Sequence, residues 1–175
     1  MTNDARFEDG GERPLRLMAR DGEDLKVISA LVQDAILNIG DLKFQPRVRR
    51  FSLLLNRFRW EDSARAQGAG RPFERVRAVL DFADVQRVAH MGLERNDGDL
   101  VLSLLAVEYQ PQATPEGATD TEDGQAVPAG PGRVILTFAG DGALALDVEC
   151  LEVHLQDVTR PYAAPSGRAP AHSLA

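Results

Sequence analysis

The sequence predicts an α+β fold. The expected form is a strongly bent antiparallel sheet of seven or eight strands, barrel-like or PH-like, with one amphipathic helix over 22–38. Three observations predict it. Apolar residues recur at helical spacing in one stretch, at Leu25, Ile28, Leu31, Val32, Ala35, Ile36 and Ile39. Beyond Gly40 the apolar period drops to two. The short alternating runs that follow are punctuated by Gly, Pro and Asp, residues that turns require. With 175 residues, 43% hydrophobic and 27% charged, the chain suits one globular domain better than two.

The elements follow in order. Residues 1–13 hold little that could be buried and read as a disordered N-terminus. A single α+β domain is expected over 14–158. "LRLMAR" (15–20) is a short strand. The helix has Asp21 as its cap, Glu23 and Asp24 in its first turn where the dipole favours acids, and Gly40 beyond its end. "DLKFQP" (41–46) and "RRFSLLLNRFRWE" (49–61) form a hairpin with Pro46 near the turn, and 64–72 is a loop. "ERVRAVLDF" (74–82) and "VQRVAHMGL" (85–93) are strands around a tight Ala83-Asp84 connection. "NDGD" (96–99) is a turn, and the almost wholly apolar 100–109 reads as a central strand buried on both faces. Residues 111–132, acidic and without an aromatic, read as a disordered insertion. Residues 133–149 form a hairpin turned by Gly140-Asp141-Gly142. In 148–158 a strand bulged near Cys150 is preferred over a helix. Residues 159–175 read as a mobile tail.

Charge is unevenly spread. Residues 1–42 carry a net −4, residues 43–77 a net +7 and residues 78–175 a net −10, together the −7 of the chain. A basic middle with acidic flanks either faces an external anion or is neutralised by the chain's own acids. Within "RRFSLLLNRFRWE", Phe51, Leu53, Leu55, Arg57 and Arg59 share one strand face. Ser52, Leu54, Asn56, Phe58 and Trp60 share the other. The apolar set therefore changes sides near Asn56. Either a bulge there sends Arg57 and Arg59 into solvent, or the strand crosses between two packing environments. The first case makes a sheet face lined by Arg57, Arg59, Arg75 and Arg77, which are the candidate anion-binding residues. Phe58 and Trp60 then lie opposite the arginines, which disfavours base stacking, and a pI of 5.0 is unlike the basic footprint of nucleic-acid binders.

Other chemistries find little support. There is no Gly-x-Ser-x-Gly elbow. Cys150 sits in an apolar-acidic setting that raises a thiol pKa, so the thiol is a poor nucleophile even though His154 shares its side of a regular element. Asp147, Glu149, Glu152 and His154 are the one acidic group containing a histidine; Asp147 and Glu149 alternate outward from Leu146 and Val148 as a solvated face does, and His90 and His172 lie apart. No metal and no cofactor is expected. "GAGRP" and "GPGRV" lack the spacing of phosphate loops. One cysteine excludes an intrachain disulfide framework. No apolar run is long enough for a membrane span, and the polar N-terminus lacks a secretory pattern, so a cytoplasmic protein is expected.

"VISALVQDAIL" (27–37), "NRFRWE" (56–61), "VLSLLAVEY" (101–109) and "LTFAGDGALALDVECLEVHLQD" (136–157) resemble, in this order, a small bacterial family known only as a domain of unknown function. The resemblance implies a bacterial single-domain protein and carries no activity. The expected function is a binding or interaction module without a catalytic site, with a homo-oligomer as one form. The alternatives are an enzyme acting on an anionic small molecule, or nucleic-acid binding through the arginine-lined face.

Overall fold

The computed structural model describes residues 13–93, 98–113 and 130–171. The expected disordered N-terminus up to residue 12, the middle of the expected insertion, part of the turn at 96–99 and His172 lie outside them. In chain order the elements are β1 (Arg16–Ala19), α1 (Gly22–Val32), β2 (Ala35–Asn38), a 3-10 turn (Ile39–Asp41), β3 (Leu42–Gln45), β4 (Arg50–Phe58), α2 (Trp60–Ala69), β5 (Glu74–Phe82), β6 (Val85–Met91), β7 (Val101–Pro111), β8 (Gly132–Phe138), β9 (Ala143–Val148), β10 (Val153–Asp157) and β11 (Tyr162–Ala163).

All eleven strands join one antiparallel sheet, in the order β1-β10-β5-β4-β2-β7-β8-β9-β6, with β3 added to β4 and β11 to β5. The α+β class holds. Three corrections apply: among the described residues the strands number eleven instead of seven or eight and the helices two instead of one, and the sheet stays open instead of closing into a barrel. No helix among the described residues is long and apolar enough to cross a membrane.

Helix α1 starts as its sequence dictates. The Asp21 carboxylate accepts a hydrogen bond from the Asp24 amide at 2.8 Å, and Leu25, Ile28 and Val32 are buried. It ends at Val32, not at residue 38. Asp34 takes a left-handed φ of 59°, a conformation Asp tolerates better than most residues. The chain then straightens into β2, which buries Ala35 and Leu37 and pairs with β7 and, through Ile36, with β4. The apolar run 35–39 fits a helical face and an alternating strand equally, and two ladders decide for the strand. Ile36 is thereby turned outward and 42% exposed, although its spacing puts it on the apolar face of the expected helix.

The hairpin β3–β4 forms as expected, with Lys43 opposite Ser52 and Gln45 opposite Arg50. Strand β4 ends at Phe58, and the segment read as strand end and loop is α2. Glu61 and Asp62 occupy its first turn, and Gly70 closes it with a φ of 63°. Strand β7 is not buried on both faces: Leu102, Leu104 and Val107 point inward, while Val101 is 60% exposed. The stretch 148–158 breaks at Glu149-Cys150 and then forms strand β10, so neither helix nor bulged strand describes it. Within the expected tail, Tyr162–Ala163 pairs with β5 and Ala164 is buried.

The core lies between α1 and the inner face of the sheet. It includes Phe51, Leu53, Leu80, Phe82, Leu104, Leu136, Phe138, Leu146 and Leu155. Phe58, Ala66, Val76 and Ala164 are buried outside this cluster. Among them Phe58 meets Trp60 edge-on at 4.7 Å and Phe73 at 5.6 Å.

Candidate functional site

Arg57 is where the reading of the basic stretch fails and becomes informative. The β4–β5 register is unbroken from Phe51–Phe82 to Phe58–Arg75, so no bulge intervenes near Asn56. Arg57 therefore keeps the parity of Phe51, Leu53 and Leu55 and faces inward, fully buried, instead of pointing into solvent. Its Nε and Nη2 donate to Asp157 at 2.9 and 2.8 Å, and Nη1 and Nη2 donate to Glu61 at 2.9 and 2.8 Å. Burial works against its charge. The hydrogen bonds and charges of Glu61 and Asp157 outweigh that, and the guanidinium pKa is raised. Asp157 in turn accepts from the Leu15 amide at 3.1 Å.

Arg59 is equally committed. It donates to Glu74 and lies 3.8 Å from both Glu61 and Asp62. Asp62 accepts from Arg71 at 2.8 and 2.6 Å, a contact that holds its carboxyl below the usual range. Two of the four candidate anion residues thus belong to an internal ion network that anchors α2 to β4, β5 and β10. Sequence reasoning missed Asp157. The signal was available: Val153, Leu155 and Asp157 share one parity, so an acid there had to face a buried cation or none.

Arg75 and Arg77 lie on the opposite, outer face of β5. The Arg75 Nη1 donates to the Asn56 carbonyl at 3.1 Å, and partial burial lowers its pKa. Arg77 is exposed and, among the described residues, makes no ion pair. The registers lay this face out in rows. Lys43, Ser52, Asp81, His154 and Met18 run across β3, β4, β5, β10 and β1. Leu54, Val79, Gln156 and Arg16 form the next row. Ile36, Asn56 and Arg77 form the third. The strands bury their other parity, so this face stays half-exposed. Its centre is a shallow hollow of about 490 Å³ lined by Arg50, Ser52, Val79, Asp81, His154 and Gln156. Five basic side chains (Arg16, Lys43, Arg50, Arg75, Arg77) stand on it against Asp81, with Glu152 beside Arg50 and His154, Asp41 beside Arg77, and Leu54, Val79 and Met18 between them.

Row chemistry argues against catalysis there. The Ser52 hydroxyl donates to Asp81 at 2.5 Å, and Arg50 donates to the same carboxylate. His154 turns to Glu152 at 2.9 Å. A nucleophilic triad needs the imidazole between hydroxyl and acid; here the acid sits between, already bound to a guanidinium. Cys150 donates from Sγ to Asp84 Oδ2 at 2.8 Å, which with burial pushes the thiol up to about 11. Cys150 and His154 thus serve different partners. Asp147 is taken by Arg133 at 2.7 Å, and no group of three or more His, Cys, Asp or Glu suited to a metal occurs among the described residues.

A family model described as "Protein of unknown function (DUF2948)" matches residues 15–172. No curated protein and no solved structure matches the chain.

Proposed function

Since the chain belongs to that DUF2948 family, whose description names no activity, we propose from the geometry that it is a non-enzymatic interaction module. Its outer sheet face takes up an acidic, partly apolar segment of a partner protein. The observation that carries this reading is the face of β3, β4, β5, β10 and β1: basic side chains stand around the apolar pair Leu54 and Val79, in a chain whose net charge is −7. Arg77 and Lys43 supply charge at two of its borders, Arg75 lies next to Arg77 on the same strand face, and Leu54 and Val79 supply apolar contact between them.

Nucleic acid fits this face less well. Stacking needs exposed aromatic rings among the cations, and Phe58 is buried beneath Trp60 and Phe73. An acidic peptide needs only the cations and the apolar strip. The lone cysteine, hydrogen-bonded to Asp84, fits a cytoplasmic setting where thiols stay reduced.

The test is fluorescence anisotropy with a labelled peptide of alternating Glu and Leu, beside a single-stranded oligonucleotide of equal charge. The expected result is saturable peptide binding that weakens as salt rises past the screening range and falls about tenfold, about 1.4 kcal/mol, in the Lys43→Glu/Arg77→Glu variant. Absence of peptide binding at low salt, or tighter binding of the oligonucleotide, overturns the reading.

A further inference from the structure

A second site lies on the inner side of the sheet, away from the basic face. We propose that the cleft between β3 and β6 binds a medium-length aliphatic chain ending in a carboxylate, with His90 meeting the head group. The cleft exists because the sheet is open there. Strand β3 pairs with β4 and β6 pairs with β9, and no ladder joins β3 to β6. It encloses about 240 Å³, and its walls include Leu42, Phe44, Phe51, Val88 and Leu144, with His90 among them. Phe51 and Leu144 belong to the buried core, so the floor is continuous with the protein interior.

The lining selects the ligand. Among the described residues no acid, lysine or arginine lines the cleft and His90 is the one ionisable side chain there, and Gly40 and Gly98 contribute main chain to the rim. A polar group inside would lose its hydrogen bonds to water without replacement. An apolar chain loses nothing and gains burial, about fourfold in affinity per methylene. A cavity of about 150 Å³ accepts benzene. By proportion this cleft takes a chain of roughly eight to ten carbons. The polar end must then stay at the mouth, where His90 is exposed and its ring N–H can donate to a carboxylate oxygen.

The experiment is a titration of the full chain, carbon-13-labelled at its Leu and Val methyls, with hexanoate, octanoate and octanol. The expected result is saturable octanoate shifts at Leu42, Val88, Leu93 and Leu144. Octanoate binds at least fivefold tighter than hexanoate and at least threefold tighter than octanol. His90→Ala, at an exposed position, brings octanoate down to the octanol level. Val88→Trp fills the cleft and abolishes the shifts. The Lys43→Glu/Arg77→Glu variant binds octanoate unchanged, which separates this site from the basic face. Absence of shifts at millimolar octanoate, indifference to chain length, or octanol binding as tightly as octanoate would each overturn the assignment.

Discussion

Arg57 has five N–H donors, and each is met: by Asp157 twice, by Glu61 twice and by the Phe58 carbonyl at 3.4 Å. Such a group contributes little as a pair but costs much when broken. Arg57→Ala strands the buried Asp157 and is expected to lower stability by roughly 3–5 kcal/mol in urea unfolding. Arg77→Ala, on the exposed face, is expected to stay within about 0.5 kcal/mol. Equal losses in the two variants would refute the division between a structural and a free arginine. Cys150 is the second residue whose surroundings decide its chemistry. With its thiol at about 11 because Asp84 accepts its proton, alkylation by iodoacetamide at pH 8 should be slow. Asp84→Asn removes the charge while keeping a side chain suited to the positive φ at this position, and should speed the reaction severalfold. An unchanged rate would show that the hydrogen bond does not control the thiol.

At the scale of elements, the sequence was readable where one signal had one outcome. α1 begins at its Asp21 cap, β5 runs over the residues its alternation marks, and the 133–149 hairpin turns at its Gly-Asp-Gly. It was ambiguous where a pattern served two structures. Ala35, Ile36 and Leu37 satisfy a helix and a strand alike, and only the ladders to β4 and β7, contributed by residues far along the chain, choose the strand. α2 was hidden for another reason. Its Gly68 and weakly apolar composition read as loop; it is held by the ion pairs of Glu61 with Arg57 of β4 and of Asp62 with Arg71 just past its end, by its N-cap Arg59 bound to Glu74 of β5, and by Trp60 against Phe58. That origin predicts its weakness. Burial works against the charge of Glu61, but Arg57 outweighs it and the pKa is lowered; Asp62 is lowered by Arg71. Groups with depressed folded values stabilise above their ordinary values, here 4.5 and 3.8, and the stability is lost as pH falls through the lower folded ones. Stability to urea should therefore hold from pH 7 to about 5 and decline below. In a Glu61→Gln variant the decline should be shallower. A decline that begins near pH 6 would instead point to histidine.

Over the whole molecule, the charge map proved legible and its destination did not. The basic segment 43–77 divides by strand parity: Arg57 is consumed inside, Arg59 is tied to Glu74, and Lys43, Arg50, Arg75 and Arg77 stand on the outer face. Sequence alone could not divide them, because the choice depends on β4 running without a bulge and on Asp157 arriving beside it. The cleft was invisible for the same reason. Its walls come from strands distant in sequence, and their alternation signalled only that they are buried. Binding of an acidic peptide should leave the thermal midpoint of the octanoate-bound chain shifted by the sum of the two separate effects, since the sites share no residue. Non-additive shifts would show that the two faces communicate.

The partnership of Arg57 with Asp157 also sets a timetable for synthesis. The two residues are 100 positions apart in the chain. At cellular elongation rates Arg57 emerges from the ribosome about 5–20 seconds before its carboxylate partner does. During that interval β4 can zip to β3 and β5, which are made nearby, but its inward guanidinium has only Glu61 and the Phe58 carbonyl to meet. The half-made protein thus presents an unfinished basic seam, and the last step of assembly waits for β10, whose Asp157 also accepts the Leu15 amide beside β1. Until residue 157 has cleared the exit tunnel, Arg57 lacks the carboxylate that completes its set of partners.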